Sequence, residues 1–571
     1  MKKLTTAYAD KMDKNTPWNE YPRPSMVRGS FFCLNGLWDF AIGGEDAPEA
    51  YSEKILVPFP PESALSGIER SIPSGAYLHY KRSFTVDEAM TSDKFLLHFG
   101  AVDTLCDVYL NGTHLTHHEG GYLPFTADCT EALRIGENEL YVRVFDDISP
   151  LYPYGKQTKK RGGMWYTPVS GIWQTVWAEA VPKNYIEKIK ITPSMDSVTI
   201  SVVGGCDKKT VTLNESGESF EFCGDKIKIS PKEIHLWTPE TPYLYNFTLS
   251  SGDDKIESYF ALREIGIKDT NGTKRLTLNG APYLFNGLLD QGYFPDGIFL
   301  PATLDGYRDD ILRSKEMGFN MLRKHIKVEP EIFYNLCDKL GIAVFQDMVN
   351  NSNYSFLFDT ALPTVGMKRF PDRILHRNKR SREIFVEHMK GEMAHLYNFP
   401  SILYYTIFNE GWGQFSADEM YDLAKTLDTT RIIDATSGWF IRSRSDVDSY
   451  HVYFKPLKIR DFGKRPLVIS EFGGYSHRVD GHLFGEGNYG YRSFADRKEF
   501  EDAFVKLYTD EVIPLVERGA SAFVYTQISD VEDETNGLLT YDRAVVKVDQ
   551  KRIRDVMEKA SRACIINNKE E

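Results

Sequence analysis

The chain contains 571 residues, with 42% hydrophobic, 26% charged and 13% aromatic side chains, and its formal net charge at pH 7 is −13. A length of this order predicts roughly two to four globular domains rather than one. The acidic balance argues against nucleic acid or an anionic membrane as the main partner.

Residues 1–185 consist of short alternating segments separated by turn residues. These segments include YLHYKRSFTV (77–86), KFLLHFGAV (94–102), LCDVYLNG (105–112), NELYVRVFD (138–146) and GIWQTVWAEAV (171–181). The pair Asn111-Gly112 after the third segment is a strong β-hairpin signal. The pattern predicts an all-β sandwich for this region.

Residues 186–268 continue with short strand-like segments. They are YIEKIKITP (185–193), VTISVVGG (198–205), KEIHLWTP (232–239), PYLYNFTLSSG (242–252) and IESYFALREIGI (256–267). A region of this size and strand density suits a small immunoglobulin-like β-sandwich. The Cys…Trp…Cys core of antibody domains is absent, so this prediction depends on the strand pattern.

From residue 269 to 571 apolar strand-like runs alternate with stretches of helical periodicity. The helical stretches are 304–318, 329–341, 379–398, 417–428 and 496–519. The strand-like runs are YLFNGLLD (283–290), NMLRKH (320–325), AVFQDM (343–348), ILYYTIFNE (402–410), IIDATSGW (432–439), SYHVY (449–453), LVISEFGG (467–474) and AFVYTQISD (522–530). Eight such strands predict a (β/α)8 TIM barrel. A doubly wound open sheet is the alternative, but no glycine-rich phosphate loop follows any of these strands.

Local features indicate no metal framework and no membrane segment. Seven cysteines are scattered without a CxxC pair, so neither a disulfide framework nor a zinc site is predicted. The N-terminus has two lysines but no apolar run after them, which predicts a cytoplasmic protein; a chain whose signal peptide had been removed would look the same. The basic run KQTKKRGG, which carries Lys156, Lys159, Lys160 and Arg161, predicts a solvated loop rather than a binding patch.

Polar residues gather at the same end of nearly every predicted barrel strand. In such barrels the active site lies at the carboxyl ends of the strands. In strand order the polar or aromatic ends are Asp290; Arg323, Lys324 and His325; Gln346 and Asp347; Asn409 and Glu410; Trp439; His451 and Tyr453; Glu471; and Tyr525, Gln527 and Asp530. We therefore expect a polar site at this face.

Glu410 and Glu471 are the two carboxylates that best fit a catalytic pair. Each follows a buried-strand run, and two neighbouring carboxylates at a barrel rim are expected to have separated pKa values. A protonated acid and an ionised nucleophile around an anomeric carbon are sufficient for glycoside hydrolysis. The adjacent Asn409 amide could bond a sugar 2-hydroxyl.

The other candidates each have a structural alternative. His325 and His451 could contact a substrate or bond a neighbouring strand, and Trp412 and Trp439 could stack on a sugar or pack the top of the barrel. Asp347 and Asp530 are expected to be structural. Asp290, Tyr453 and Gln527 complete the set of candidate substrate-binding residues.

Long strings across nearly the whole chain resemble glycoside hydrolase family 2, the family of β-galactosidases, β-glucuronidases and β-mannosidases. They are YPRPSM (21–26), LNGLWDF (34–40), FGAVDTLCDVYLNGTHLTHHEGGYLPFTADCT (99–130), SGIWQTVWAE (170–179), YFALREIGI (259–267), LTLNGAPYLFNGLLDQGYFPDG (276–297) and KEMGFNMLRKHIKVEP (315–330). The resemblance implies three domains: a sugar-binding-type jelly roll over 1–185, an immunoglobulin-like sandwich over 186–268 and a catalytic TIM barrel over 269–571.

The resemblance also implies a retaining double displacement. Asn409-Glu410 matches the family's acid/base motif, and Ser470-Glu471-Phe472-Gly473 matches its nucleophile motif. His325 matches a position that contacts the bound sugar, and Tyr453 resembles a tyrosine that bonds the nucleophile. The implied partner is a carbohydrate or glycoconjugate, and family members are commonly dimers or tetramers. No cofactor and no metal site are implied.

One departure bears on the sugar. Characterised β-glucuronidases carry an Asn-x-Lys motif after strand eight, and residues 524–550 contain none. Acidic Asp530, Glu532, Asp533 and Glu534 would repel a uronate there. The sequence thus favours an exo-β-galactosidase over a β-glucuronidase or another family 2 glycosidase. A carbohydrate-binding pseudoenzyme and a metal-dependent barrel hydrolase remain as alternatives, although the latter lacks a His-x-His cluster at strand one.

Overall fold

The computed structural model describes residues 3–364, 372–460 and 462–566, and its first region is a β-sandwich. A six-stranded sheet in the order β3-β2-β4-β10-β7-β8 faces a four-stranded sheet in the order β1-β12-β5-β9, and β6 pairs with β11. The strands are β1 (Phe31–Cys33), β2 (Gly36–Gly43), β3 (Glu53–Val57), β4 (Tyr77–Val86), β5 (Lys94–Phe99), β6 (Val102–Asp103), β7 (Leu105–Leu110), β8 (Thr113–Glu119), β9 (Phe125–Asp128), β10 (Gly136–Phe145), β11 (Gly171–Ile172) and β12 (Val176–Val181).

The predicted hairpin at Asn111-Gly112 is confirmed and joins β7 to β8. Both residues have positive φ angles, 51° and 81°, as a type I′ turn requires. The alternating side chains of the two sheets meet in one apolar core that includes Trp38, Tyr80 and Val142.

The second region is a smaller sandwich of two antiparallel sheets, β13-β14-β17 and β16-β15-β18-β19. Its strands are β13 (Ile186–Pro193), β14 (Val198–Gly204), β15 (Lys208–Leu213), β16 (Ser219–Cys223), β17 (Lys226–Ile229), β18 (Tyr245–Ser251) and β19 (Asp254–Phe260). The prediction of a strand at 232–239 is wrong: only an isolated bridge joins Leu236 to Leu262. Trp237 in this segment is fully buried, and its indole N–H donates to the Asp338 carbonyl oxygen (2.9 Å). The segment therefore packs against the third region.

The third region is a parallel eight-stranded barrel, as predicted. Its strands are β23 (Phe285–Asp290), β24 (Met321–Lys324), β25 (Ala343–Asp347), β26 (Ile402–Asn409), β27 (Ile432–Ser437), β28 (Asp448–Val452), β29 (Leu467–Gly473) and β32 (Ala522–Thr526). Ladder pairing runs in the order β27-β26-β25-β24-β23-β32-β29-β28, so the barrel is closed except between β27 and β28. The Ser449 hydroxyl bridges that gap by donating to the Thr436 carbonyl oxygen (3.1 Å).

A small sheet of β20 (Ile265–Thr270), β21 (Thr273–Leu278) and β22 (Ala281–Pro282) closes the bottom of the barrel. Leu276 and Leu278 pack there with Met321, Phe345 and Val468 from the barrel strands. The apolar floor leaves the opposite, carboxyl end as the open face. The proposed domain limits at residues 185 and 268 stay predictions.

The helices lie where helical periodicity predicts them, with two differences. They are α1 (Asp305–Glu316), α2 (Glu331–Leu340), α3 (Leu362–Thr364), α4 (Lys379–Leu396), α5 (Ala417–Leu427), α6 (Arg497–Leu507), α7 (Ile513–Glu517) and α8 (Gln550–Ile566). The predicted helix 496–519 is interrupted by a π-helical turn, Tyr508–Val512, which lies just before Pro514. Helix α8 and the three-residue α3 were not predicted; α8 packs Val556, Met557 and Ala560 into the core around the barrel.

Minor elements complete the described chain. They are 3₁₀ turns at Ala9–Lys11, Glu88–Met90 and Asp372–Ile374, a π-helical turn at Phe356–Ala361, and the short strands β30 (Tyr475–His477) and β31 (Arg492–Phe494). Over the described ranges, no helix combines the length and apolarity needed to cross a bilayer.

Candidate active site

Glu410 lies one residue beyond β26, where the chain turns out of the barrel. Its backbone has a φ of 53°, a left-handed conformation that non-glycine residues adopt at a cost, and its N–H donates to the Ser437 carbonyl oxygen (2.9 Å). The buried strand below it is apolar, while the Glu410 side chain is 21% exposed. The turn thus lifts this carboxylate out of the strand and into the open mouth of the barrel.

Glu471 lies within β29, at an irregularity of the barrel ladders. The register with β28 shifts between Tyr450 and His451, and the register with β32 shifts between Ile469 and Phe472. Bulges of this kind re-aim side chains next to active sites. Here the Glu471 carboxyl is 7% exposed and points to the same space as Glu410.

Arg323 at the end of β24 connects the groups around Glu471. Its guanidinium donates to Asp347 Oδ1 (2.9 Å), Glu471 Oε1 (3.0 Å), the Ser470 carbonyl oxygen (2.8 Å) and Asn409 Oδ1 (2.9 Å). The side chain is 1% exposed, and the facing carboxylates hold its pKa above the ordinary value despite burial. A permanent positive charge therefore lies beside the Glu471 carboxylate.

Alternation along β24 decides which polar residues reach this site. Arg323 and His325 are two residues apart and point to the same side. His325 Nδ1 lies 2.7 Å from Asp347 Oδ2, so Asp347 holds both of these side chains. Lys324 points the other way, where its ammonium donates to Asp290 Oδ2 (2.6 Å) and Glu329 Oε1 (2.8 Å).

Glu471 is surrounded by groups that favour its ionised form. Burial alone would raise its pKa, but His451, Arg323 and His325 and the hydroxyl of Tyr453 together lower it to about 2. Tyr453 donates to Glu471 Oε2 through a short hydrogen bond, and its ring stacks on Tyr491 with centroids 3.7 Å apart. The carboxylate is therefore ionised and fixed in orientation at neutral pH.

His451 stands between the two glutamates. Its Nδ1 lies 2.8 Å from Glu410 Oε1 and 3.5 Å from Glu471 Oε2, and its Nε2 lies 2.9 Å from Ser437 Oγ. One carboxylate oxygen of each glutamate and a ring nitrogen of His451 all lie within 4.8 Å of one another. Two carboxylates and an imidazole are groups that can ligate a cation. Here, however, the glutamate oxygens already accept hydrogen bonds from Arg323 and Tyr453 or contact His451.

Asn409 and Trp439 offer polar hydrogens beside the glutamates. The Asn409 oxygen accepts from Arg323, which leaves its amide nitrogen as the free end of the group. The Trp439 ring lies 5.7 Å from the His451 ring, and its buried indole N–H has no partner among the described residues. Of the two, Asn409 lines the cavity beside Glu410 and can donate to a hydroxyl group of a bound molecule.

A loop of the first domain forms one wall of the site. This loop, residues 147–166, is called the sandwich loop below. Lys156 and Trp165 from it line the same cavity as Asn409, Glu410 and Trp412. The Trp165 ring meets the Trp412 ring edge to face at 5.2 Å. Trp412 is 3% exposed and donates to the Ser352 carbonyl oxygen (3.3 Å), so it packs the rim and presents only an edge to the cavity.

The sandwich loop also brings a cation close to Glu534 of the barrel. Glu534 accepts from the Tyr166 hydroxyl (2.9 Å) and from Gln527 Nε2 (2.8 Å). Burial raises the pKa of Glu534, and the Lys156 ammonium is the strongest of the groups that oppose this rise. Lys156 also lies 6.0 Å over the Tyr166 ring. Lys156 thus offers a donor to the cavity, while both carboxylate oxygens of Glu534 are already hydrogen bonded within the protein.

The structure does not bring all of the candidate residues together. Asp290 is held by Lys324 and by the Gly292 N–H (2.9 Å), away from the two glutamates. Gln527 is engaged by Glu534 and Asn536. Asp530 pairs with Lys547 (2.6 Å), as expected for a structural residue. Direct substrate contact by Asp290 and Gln527 stays a prediction.

Four residues in or next to the site were not among the predicted site residues: Arg323, Lys156, Trp165 and Glu534. Arg323 was one of several consecutive polar residues. Since side chains two residues apart on a strand point to the same side, the choice of His325 as a site residue would also have indicated Arg323 rather than Lys324. Lys156 and Trp165 belong to another domain, and no local signal links them to the barrel. Glu534 was noted only for its charge.

Comparison with known families and structures agrees with the fold. Residues 72–187 match the model described as the glycosyl hydrolase 2 galactose-binding domain-like family, and residues 272–558 match the TIM barrel domain of glycosyl hydrolases family 2. A β-galactosidase of Pseudoalteromonas haloplanktis is 24% identical over 89% of this chain and 54% of its own length. The chain spans about half the length of several curated relatives that it matches.

Solved structures with the same architecture cover more than nine tenths of the chain. A β-glucuronidase from an uncultured Clostridium species superposes with a TM-score of 0.74 at 20% identity, over 93% of this chain and 98% of that one. A β-galacturonidase from Eisenbergiella tayi gives a TM-score of 0.67 at 20% identity, over 94% and 97% of the two chains. At this identity the likeness establishes the shared fold.

Proposed function

Because the chain belongs to glycoside hydrolase family 2, we propose that it is a retaining exo-β-glycosidase that releases terminal β-linked galactose. In this proposal Glu471 is the nucleophile and Glu410 is the general acid and base. The observation that carries the proposal is the pairing of an ionised, oriented Glu471 with a nearby, partly exposed Glu410.

The spacing of the two carboxylates supports the retaining pathway. Oxygens of the two groups lie within 4.8 Å of one another. Retaining glycosidases have carboxyl groups about 5–5.5 Å apart, whereas inverting enzymes separate them by about 6.5–9.5 Å to admit a water molecule. The short spacing leaves room for the anomeric carbon and the glycosidic oxygen, but not for a water molecule between Glu471 and an uncleaved glycoside.

The first step makes one bond and breaks one. A Glu471 oxygen bonds to the anomeric carbon while the glycosidic carbon–oxygen bond breaks, and the Glu410 proton passes to the leaving oxygen. In the second step Glu410 takes a proton from water, the water oxygen bonds to the anomeric carbon, and the ester to Glu471 breaks. The partial exposure of Glu410 supports this role, since water must reach it.

The hydrogen-bonding groups around the pair support a neutral sugar. The Asn409 amide nitrogen can donate to a sugar hydroxyl, and Lys156 supplies a further donor in the same cavity. Glu534 also disfavours a sugar carboxylate at this end whenever it is ionised. Together with the missing Asn-x-Lys motif, this favours a β-galactoside over a β-glucuronide.

A β-uronide is the second candidate, and one observation favours it. The Lys156 ammonium lines the cavity that contains Glu410, so a sugar carboxylate could pair with it. In this case Lys156 would replace the Asn-x-Lys lysine from a different domain.

A panel of nitrophenyl glycosides tests both candidates. The protein is assayed with β-galactoside, β-glucuronide, β-glucoside, β-mannoside, β-xyloside and α-arabinoside, and we expect the highest kcat/KM with β-galactoside. Nuclear magnetic resonance of the first-formed sugar should show the β-anomer. Glu471→Gln should abolish turnover, and wild-type-like activity in that variant would overturn the assignment of the nucleophile.

A further inference from the structure

A second groove lies next to the catalytic cavity, where the sandwich loop meets the barrel segment after β25. It has a volume of about 470 Å³ and is lined by the first-domain residues Tyr154, Lys159, Lys160 and Trp165 and by Tyr354 of the barrel. No step of the proposed reaction uses this groove. It is large enough for a sugar unit or a group of similar size.

The groove adjoins the catalytic cavity, because the two spaces share lining residues. Trp165 and Tyr354 line both spaces, and Glu410 lines the inner one. In the proposed reaction Glu410 protonates the oxygen of the leaving group. A molecule whose glycosidic oxygen lies at Glu410 therefore extends its leaving group past Trp165 and into the groove.

Aromatic rings form the shared wall. Trp165 contacts Tyr354 with ring centroids 5.0 Å apart, and Tyr154 contacts Trp412 at 5.4 Å. These edge-to-face contacts fix the ring planes of the wall. A rigid aromatic surface of this kind suits the apolar face of a pyranose ring better than a flexible chain.

The charges along the groove are predominantly positive. Lys159 is paired with Asp147, which also lines the groove and accepts from Ser74. Lys160 is exposed, and in the described part of the chain no carboxylate lies within ion-pair distance of it. Its backbone N–H donates to Thr158 Oγ1 (3.1 Å), which orients the turn that carries it. Lys160 is therefore the cation that this groove offers to a ligand.

The groove is preformed because the sandwich loop is fixed to the barrel. The Tyr154 N–H donates to the Asn350 carbonyl oxygen (3.1 Å), and the Tyr154 hydroxyl donates to the Ser352 carbonyl oxygen (2.8 Å). Gly155 has a φ of 60°, and a Cβ there would lie 2.8 Å from the Ile326 carbonyl oxygen, so only glycine permits this close approach. A preformed groove loses little conformational entropy when a ligand binds.

We propose that this groove binds the leaving-group part of the substrate and selects an acidic saccharide there, with Lys160 facing its anionic group. The inference rests on the proposed glycosidase activity for the direction in which the substrate lies. It differs from that proposal in naming what the enzyme prefers on the far side of the cleaved bond. A carboxylate and a sulfate ester are the two anions with the required chemistry.

The test compares disaccharides that share the same terminal sugar. That sugar is the one preferred in the nitrophenyl panel, and it is joined to glucose, to glucuronate or to glucose sulfate. The measured quantity is the ratio of kcat/KM for each anionic disaccharide to that for the neutral one. The sulfate and carboxylate arms show which anion is preferred.

We expect this ratio to exceed one for the wild type and to fall about fivefold in Lys160→Glu, as for the loss and reversal of one exposed charge contact. Lys160→Gln should give an intermediate ratio, and added salt should reduce the preference because the contact is partly exposed. Lys255→Glu is the matched control, since Lys255 is an exposed lysine on the second domain. A wild-type ratio of one or less, or an unchanged ratio in Lys160→Glu, overturns the proposal.

A binding measurement separates this inference from the proposed activity. Trigalacturonate is titrated into the Glu471→Gln protein with and without Lys160→Glu, and tryptophan fluorescence reports binding because Trp165 lines the groove. Maltotriose is the neutral comparison. Weaker trigalacturonate binding after Lys160→Glu supports the groove even if no glycoside is hydrolysed. Equal binding of the two trimers, or no effect of Lys160→Glu, contradicts the groove even if hydrolysis is efficient.

Discussion

The substitution Arg323→Gln should impair the proposed nucleophile Glu471 while leaving both glutamates unchanged in sequence. The guanidinium of Arg323 lies 3.0 Å from Glu471 Oε1 and is buried. Glutamine can still hydrogen bond, but it carries no charge. The variant therefore removes the permanent cation beside the proposed nucleophile and leaves Tyr453 and His451 in place.

The size of the effect follows from the contact distance. Two unit charges about 4 Å apart interact by about 4 kcal/mol at an effective dielectric constant of about 20. Each pKa unit corresponds to about 1.4 kcal/mol, so complete loss of this interaction would raise the pKa of Glu471 by about three units. Because His451 and Tyr453 remain, we expect a rise of about two units from the present value of about 2. The lost orientation should also lower kcat by about a hundredfold.

The assay is the pH dependence of kcat/KM with a nitrophenyl glycoside. Because the pKa of Glu471 is low, this carboxylate stays ionised in the wild type throughout the usual acidic range. The acid limb of the kcat/KM profile, which reports its protonation, therefore lies at very low pH. In Arg323→Gln this limb should move upward by about two pH units. Circular dichroism and the double variant Arg323→Gln/Asp347→Asn control for misfolding, because the single change removes the Arg323 partner of buried Asp347, which then keeps only His325. A folded single variant with the wild-type acid limb would refute the reasoning.

Three further predictions concern the rest of the site and the first domain. Glu410→Ala should slow hydrolysis of alkyl glycosides by about 10²–10⁴-fold but dinitrophenyl glycosides far less, since a good leaving group needs no proton; equal losses with both would contradict its role as the acid. Tyr453→Phe should lower kcat about tenfold and shift the acid limb upward, because its hydroxyl lowers the pKa of Glu471; an unchanged pH profile would leave Tyr453 a packing residue. Burial, reinforced by Asp146, raises the pKa of Asp103 to about 8, so the folded state binds the extra proton and stability falls between about pH 4 and pH 8. Asp103→Asn should therefore reduce the drop in Tm from about pH 5 to about pH 8.5 by roughly 5 °C, as read by calorimetry, and an unchanged drop would show that another group causes it.

The barrel strands and the location of the two glutamates at strand ends could be predicted because their signals are local. Each strand is an apolar run of a few residues, and the change to polar residues at its end marks the open face of the barrel. Glu410 and Glu471 follow such runs directly. The family model that matches residues 272–558 confirms the barrel. Its prediction required no information about contacts between distant segments.

The parts that could not be predicted depend on contacts between distant segments. Lys156 reaches the site only because the sandwich loop packs on the barrel, and nothing in KQTKKRGG indicates this. Trp237 makes 232–239 resemble a strand, although its side chain is buried against α2 rather than within a sheet. His451 was placed at the correct strand end, but its position between both glutamates depends on the irregular ladder at β28 and β29.

The wall that the sandwich loop contributes makes catalysis depend on the mutual position of two domains. Its contact with the barrel includes the Tyr154–Asn350 and Tyr154–Ser352 hydrogen bonds and the close approach at Gly155. The two domains also share one apolar core, in which Tyr122 and Trp173 of the β-sandwich contact Phe299 of the barrel region and Tyr166 contacts Tyr293. Heating cannot part the domains without opening this shared core. Thermal inactivation should therefore coincide with unfolding of the barrel, without an earlier reversible loss of activity.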